Sequence, residues 1–180
     1  AMSVEDHARN SVLREIVLEH FFVGEVLKRL WQKRIFDVEI LRSEFDAGGY
    51  DLVLSRGEIV RHIQLKSRLV SSSTREVSVG LRLADRPSGC VLWMVVHDNL
   101  DFADFLFFGS APGKPLPDLS DYKTTKHVKA NREGVFLERP AHRMVPAKAF
   151  RSLGSLDAVI EELLGPIGPP ADYPIEPATP

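Results

Sequence analysis

Apolar positions divide the first part of the chain into a long helix followed by three strands. Apolar residues recur at steps of three and four from Ser3 to Arg34, with two acids in the first turn, which predicts one amphipathic helix. A looser alternation over Phe36–Leu41 predicts the first strand. Asp51–Ser55 and Ile59–Lys66 alternate around Arg56-Gly57 and predict a hairpin.

The second half of the chain predicts further strands and one more helix. Val91–Val96 is an unbroken apolar run of strand length, which favours a central strand buried on both faces. Val77–Ala84 fits strand and helix alike. The remaining predicted elements are strands at Phe105–Phe108 and Arg143–Val145 and a helix at Ser155–Leu164. We therefore expect a single α/β domain over residues 1–164, with a mixed central sheet flanked by helices and a Pro-rich tail over residues 165–180.

Composition places the chain among ordinary soluble domains. It has 180 residues, of which 44% are apolar and 27% charged, enough to bury a sizeable core. The single cysteine, Cys90, excludes an internal disulfide and lies beside the apolar run, which favours a buried, inert thiol. No apolar stretch approaches the roughly 20 residues that span a bilayer, so we expect no membrane contact and a cytoplasmic location.

Charge is unevenly distributed along the chain. The formal net charge is −2, which argues against a generic nucleic-acid binder. Yet residues 121–151 carry eight Lys or Arg against three acids, and residues 51–75 carry five against two. Residues 152–180 carry five acids and no base. Local positive potential can therefore coexist with an acidic total.

The hairpin carries the candidate chemistry. Gln64 and Lys66 lie two residues apart on the second hairpin strand and so project to the same face of the sheet. Asp51 opens the preceding strand and is expected at the same end of the sheet. A carboxylate, an amide oxygen and an ammonium that converge there suit metal-assisted cleavage of a phosphodiester.

The order of these residues resembles the PD-(D/E)xK nuclease superfamily, in particular Holliday-junction resolvases and Mrr-type endonucleases. The resemblance covers roughly residues 13–67, with Asp51 at the strand position and Gln64-x-Lys66 at the (D/E/Q)-x-Lys position. Glu25 matches the acid on the first helix, and Glu19 is the alternative. The sequence departs from the pattern at Gln64, where most members carry an acid, and at Tyr50, where many carry proline.

The resemblance implies a restriction-endonuclease-like fold and a DNA endonuclease or resolvase that depends on Mg²⁺, with Mn²⁺ as a substitute. It implies that Asp51, Gln64 and Glu25 hold the metal and that Lys66 addresses the attacking water. Glu44 and Asp46 lie just upstream and are interpreted as loop residues, and His62 as a structural residue.

A basic segment is the candidate DNA contact. Its bases recur every third residue and would form one stripe on a helix, and Arg68 adds a further base near the hairpin. We expect phosphate contacts from the following residues, a solvated surface being the alternative: Lys123, Lys126, Lys129, Arg132 and Arg68.

Two other functions stay open at this point. Gln64 and the near-neutral charge also fit a nuclease-fold module that has lost cleavage and only binds nucleic acid or a protein. A third hypothesis is an interaction or immunity-type protein that docks through its Pro-rich tail. A homodimer and a protein partner bound by the tail are further expectations, because no separate target-recognition domain is visible.

Overall fold

The computed structural model describes residues 3–45, 48–126 and 138–168. Its helices are α1 (Val4–Arg9), α2 (Ser11–Gln32) and α3 (Leu156–Leu164), with short 3₁₀ helices at Leu81–Asp85 and Ala147–Ala149. The single helix expected from Ser3 to Arg34 is therefore two helices. Asn10 separates them, since its side-chain amide donates to Asp6 O at 2.8 Å and closes α1.

Among the described residues, nine strands form two sheets. The strands are β1 (Glu39–Arg42), β2 (Leu52–Arg56), β3 (Ile59–Leu69), β4 (Glu76–Gly80), β5 (Cys90–Val96), β6 (Phe102–Gly109), β7 (Lys123–Lys126), β8 (Glu138–Pro146) and β9 (Arg151–Ser152). The larger sheet has the order β1-β2-β3-β5-β6-β9 and the smaller has the order β4-β8-β7. Strands β3 and β5 run parallel and the other pairs antiparallel, so the expected mixed sheet is confirmed.

Strand β5 is the centre of the molecule, as its continuous apolar run predicts. All seven of its residues are buried. Leu92 and Met94 pack in a core with α2 and α3, whereas Val91 and Trp93 pack in a second core beneath the smaller sheet. This period of two shows that both faces of the larger sheet are covered. Burial also raises the pKa of the Cys90 thiol to about 12, in agreement with an inert cysteine.

The two faces of the larger sheet are covered by different structures. Helix α2 buries Leu18, Phe22, Val26 and Leu30, spaced four residues apart, against one face, and α3 packs beside it. The other face is covered by the smaller sheet, the first 3₁₀ helix and part of the loop after β6. Both long helices thus lie on the same side of the larger sheet.

Several local expectations are resolved by the structure. The hairpin is confirmed, and Gly57 adopts the positive φ of +58° that its turn requires. Val77–Ala84, whose pattern fits strand and helix alike, begins as the end of strand β4 and continues as a 3₁₀ helix. Lys123–Lys126, whose bases would form one stripe on a helix, instead form strand β7, which pairs with β8. No helix in the described ranges is long and apolar enough to cross a membrane.

The feature that positions the candidate site is an open edge on β3. Strand β2 begins opposite Ile63, while β3 continues to Leu69. Residues 64–69 pair with β5 on one side. On their other side no strand of the described residues pairs with them. A notch in the sheet therefore opens beside Gln64 and Lys66.

Candidate active site

A cavity of about 330 Å³ lies at this notch. Asp51, Gln64 and Lys66 all line it, together with Glu15 and Glu19 from α2. We call it the acidic cavity and define it by these five residues. Apolar side chains of α2, β4 and β5 complete its wall. The three hairpin residues singled out in the sequence are thus brought to one place.

Asp51 is held at the notch by the backbone on both sides. Gly49, with φ of +74°, makes the turn that leads into β2. The Asp51 N–H donates to Ile63 O at 2.8 Å, and Asp51 Oδ2 accepts from the Leu65 N–H at 2.7 Å. If β2 were longer, one of its carbonyl groups would accept from the Leu65 N–H; the Asp51 carboxylate accepts from it instead. This hydrogen bond fixes the carboxylate at the open edge of β3.

Gln64 and Lys66 project from the same face of β3, as their spacing predicts. Gln64 Oε1 is buried and has no hydrogen-bond partner among the described residues. An orphaned buried carbonyl oxygen is costly unless a ligand or a water satisfies it. No carboxylate of the described residues lies within 4.0 Å of Lys66 Nζ, so its charge is available to the cavity.

The acids of the helix are Glu15 and Glu19, which lie four residues apart and therefore on one side of α2. Glu19 Oε1 lies 3.4 Å from Arg42 Nη1 on β1, which ties the helix to the edge of the sheet. Glu15 was not singled out in the sequence. The signal that could have found it is its four-residue step from Glu19, beside the buried face of the helix.

Glu25, predicted as the acid of the first helix, does not line the acidic cavity. It lies six residues beyond Glu19, which is about 9 Å along the helix and about 120° around it. Its carboxylate instead pairs with Lys28 Nζ at 2.8 Å. The alternative, Glu19, lines the acidic cavity together with Asp51 and Lys66.

The charge of the acidic cavity favours a cation. Three carboxylates face one ammonium, an arrangement that repels a phosphate unless positive charge is added. The oxygens of Asp51, Gln64 and Glu19 are the hard donors that Mg²⁺ and Mn²⁺ prefer. Among the described residues, no three His, Cys, Asp or Glu side chains are gathered closely enough to enclose a metal ion. The donor set fits an ion that keeps several waters and takes one or two carboxylates, as Mg²⁺ does.

The candidate DNA-binding residues lie in two places. Arg68 follows Lys66 on the same face of β3, and its guanidinium stacks over Trp93 with the centroid 4.9 Å away. Lys123 and Lys126 are exposed on β7, in the same small sheet whose strand β4 borders the acidic cavity. Lys129 and Arg132 fall outside the described residues.

The other residues weighed in the sequence are not part of the cavity. His62 Nδ1 donates to Pro87 O at 2.8 Å and its ring packs edge-on against Tyr50, which is a structural role. Glu44 is exposed and does not line the acidic cavity. Asp46 falls outside the described residues.

Comparison with known proteins leaves the family open. No family model matches the chain, and no curated protein matches it. Among solved structures, the chain is similar to a bacterial homing endonuclease, with a TM-score of 0.29 and 19% identity over 73% of this chain and 84% of that one. A likeness this remote supports no inference about fold or function, and the function is inferred from the residues of the acidic cavity instead.

Proposed function

We propose that this protein is a metal-dependent DNA endonuclease or resolvase of the PD-(D/E)xK type. The observation that carries the proposal is that Asp51, Gln64 and Lys66 line one cavity with a helix acid. The resemblance required this convergence of residues that are up to 47 positions apart in the chain, from Glu19 to Lys66. It also required Asp51 at the start of the second strand and Gln64-x-Lys66 on the third.

Asp51 and Gln64 would hold the magnesium ion, with Glu19 completing the set directly or through water. A bound magnesium ion supplies positive charge for the phosphate and lowers the pKa of a water. The Leu65 N–H keeps the Asp51 carboxylate oriented toward the cavity. Lys66, which no carboxylate of the described residues neutralises, donates to the attacking water and offsets phosphate charge.

The experiment is a nicking assay on supercoiled and on branched DNA with Mg²⁺ or Mn²⁺, with a chelator as the control. We expect cleavage by the wild type and none with the chelator. Lys66→Ala should abolish nicking while calorimetry still detects the metal, because Lys66 is not a metal ligand. If the wild type nicks none of these substrates, or if Lys66→Ala nicks as well as the wild type, the proposal is wrong.

A second function is favoured by two observations. Gln64 replaces the usual acid, and within the described ranges no three acids or histidines are gathered around a metal. Both fit a nuclease fold that binds DNA without cutting it. DNA binding by a wild type that never nicks, with either metal, would make this the better assignment. Changing Gln64 to Glu tests the same point, since a restored acid should then create or raise metal-dependent cleavage.

The basic surface and the partners stay proposals. We propose that Lys123 and Lys126 contact phosphates, so that neutralising both weakens binding of all DNA sequences alike and lowers the salt slope by about one unit per contact. Contacts from Lys129 and Arg132, and a protein partner for residues 169–180 of the tail, concern residues outside the described ranges.

A homodimer is proposed through the solvent face of α2. Leu13, Val17, Leu27 and Trp31 are between 41% and 73% exposed there. Leu13 and Leu27 are two seven-residue steps apart, as are Val17 and Trp31, which is the spacing of paired helices. In an antiparallel pair this spacing places His20 of one copy opposite Gly24 of the other, a large residue against a small one. Sedimentation of the wild type and of Leu27→Lys tests this. A monomeric wild type would exclude it.

A further inference from the structure

A second cavity, of about 400 Å³, lies next to the acidic cavity and has the opposite charge. Its polar wall consists of His7 from α1, Arg14 from α2, Ser67 and Arg68 from β3, and the loop of residues 71–74. We call it the basic cavity and define it by these residues. Ser67 lines both cavities, so the two share a wall.

Four buried polar atoms around the basic cavity have no hydrogen-bond partner among the described residues. They are His7 Nε2, Arg14 Nε, Arg68 Nε and Ser67 Oγ. His7 is only 4% exposed, so its ring is committed to the interior rather than to solvent. Buried polar groups are nearly always paired, so four orphaned atoms on residues that line one cavity make it a candidate site for a polar ligand.

The charge of this site identifies the ligand as an anion. No acid in the described part of the chain lines the basic cavity. Within the described part of the chain, no carboxylate lies within 4.0 Å of the guanidinium of Arg14 or Arg68. Two arginines without a carboxylate partner and one serine line this cavity, and guanidinium and hydroxyl groups are donors that suit the several oxygens of a phosphate.

Both arginines are already held in position. Arg14 Nη1 donates to His7 O at 3.2 Å, and Arg68 Nη1 donates to Thr74 O at 2.9 Å. Arg68 also stacks on the buried Trp93, which limits its freedom further. An anion that binds here therefore loses little affinity to the ordering of side chains.

We infer that the basic cavity binds a backbone phosphate of the nucleic acid, next to the phosphate at the acidic cavity. This inference rests on the proposed function for the nature of the ligand. Lys66 and Arg68 lie two residues apart on one face of β3, about 7 Å from each other, which is the scale of neighbouring phosphates in one strand. A strand that crosses the notch thus meets both cavities in succession.

The test measures binding in the presence of a chelator, so that it does not depend on cleavage. Inorganic phosphate is titrated into the full chain by calorimetry, and then used to compete with a fluorescent DNA oligonucleotide. Wild type is compared with Arg14→Gln and with Ser67→Ala, which removes one hydroxyl without changing the packing. The matched control is Arg9→Gln, an exposed arginine of α1 that lines neither cavity.

We expect Arg14→Gln to weaken phosphate and DNA binding about tenfold or more and Ser67→Ala severalfold. Arg9→Gln should match the wild type. Equal losses in Arg9→Gln and Arg14→Gln would overturn the inference, as would unchanged binding in both Arg14→Gln and Ser67→Ala. Phosphate that binds but does not compete with DNA would show that a free phosphate compound is the ligand, and would also overturn it. A wild type that never nicks DNA rejects only the nuclease, because none of these readouts involves cleavage.

Discussion

The acidic and basic cavities share two elements, the first half of α2 and the open edge of β3, yet they carry opposite charge. Glu15 and Glu19 face one cavity, whereas Arg14 faces the other. Along β3 the polar face passes from Gln64 and Lys66 to Arg68 within five residues. The periodicities of the two shared elements, 3.6 in the helix and 2 in the strand, thus help to place two neighbouring sites of opposite sign.

The difference between the cavities indicates a division of roles. Carboxylates repel a phosphate and attract a metal ion, so the acidic cavity suits stabilisation of the charge that develops in the transition state. Guanidinium groups attract a phosphate in its ground state, so the basic cavity suits positioning of the substrate. Ground-state binding lowers KM, whereas an interaction made only in the transition state raises kcat. Variants in the two cavities should therefore change different kinetic constants.

The largest expected effect separates these constants. Lys66→Ala should lower kcat by about 100-fold or more, with little change in DNA affinity, because Lys66 acts on the attacking water. Arg68→Gln should raise KM about tenfold and leave kcat within a few-fold, because Arg68 contacts a phosphate that does not react. Steady-state nicking kinetics measure both constants.

Two results would break this division of roles. One is a loss of kcat in Arg68→Gln as large as that in Lys66→Ala. The other is a pure KM effect in Lys66→Ala, which would make Lys66 a phosphate contact. Circular dichroism and Tm for each variant exclude unfolding as the cause, a necessary control because Arg68 also stacks on Trp93.

The next effect concerns the helix acid. Glu19→Gln should lower the nicking rate by about 10-fold to 100-fold, since it removes one anionic oxygen from the metal set. Glu25→Gln is the matched control, because it makes the same chemical change on the same helix outside the cavity. We expect it to nick like the wild type and to lose only its exposed ion pair with Lys28. The opposite order of effects would restore Glu25 as the helix acid.

Sequence reasoning reached the hairpin part of the site because its information is local. The Gly49 turn, the alternation of β2 and β3 and the spacing of Gln64 and Lys66 all lie within 20 residues. The central strand β5 was equally clear, because a strand buried on both faces shows as a continuous apolar run. These elements and the mixed sheet were predicted from the sequence and confirmed.

The remainder depended on contacts between distant elements. The choice between Glu19 and Glu25 requires the rotation of α2 against the sheet, which is set by the buried side chains from Leu18 to Leu30. The strand at Lys123–Lys126 depends on its pairing with β8, which the spacing of its charges does not indicate. The basic cavity joins residues of α1, α2 and β3, which form no single sequence motif from which it could be predicted.

A smaller effect sharpens the contrast in charge. In the presence of a chelator, Glu15→Gln should tighten DNA binding by about twofold to fivefold, because it removes a carboxylate that repels phosphate. The gain in affinity should shrink as salt is raised from about 50 to about 200 mM, because the Debye length shortens and the repulsion is screened. Neutralising Arg14, the residue before Glu15, should instead weaken DNA binding. Fluorescence anisotropy measures both, and weaker binding by Glu15→Gln would contradict an acidic cavity that repels phosphate.

The smallest effect tests whether α2 is held independently of the two cavities. Far from them, Arg29 of α2 forms a bidentate pair with Asp157 of α3, with both N···O distances 2.6 Å. Hydrogen bonding to Arg29 holds the pKa of Asp157 below its usual value. A depressed folded pKa means that the pair stabilises the protein above the pKa of the unfolded carboxyl, and that this stability is lost as pH falls through the folded pKa.

Because the pair is partly exposed, Asp157→Asn should lower Tm at pH 7 by only about 1–3 °C. The difference from wild type should disappear once acid has protonated Asp157, and calorimetry across pH 2 to 7, roughly the range over which a carboxyl of this kind titrates, measures this. Phosphate binding and nicking should stay at the wild-type level, because the pair lies at the opposite end of α2 from both cavities. If Asp157→Asn weakened either activity as much as Arg14→Gln or Glu19→Gln, those losses would reflect movement of α2. The contrast between the two cavities would then be structural rather than chemical.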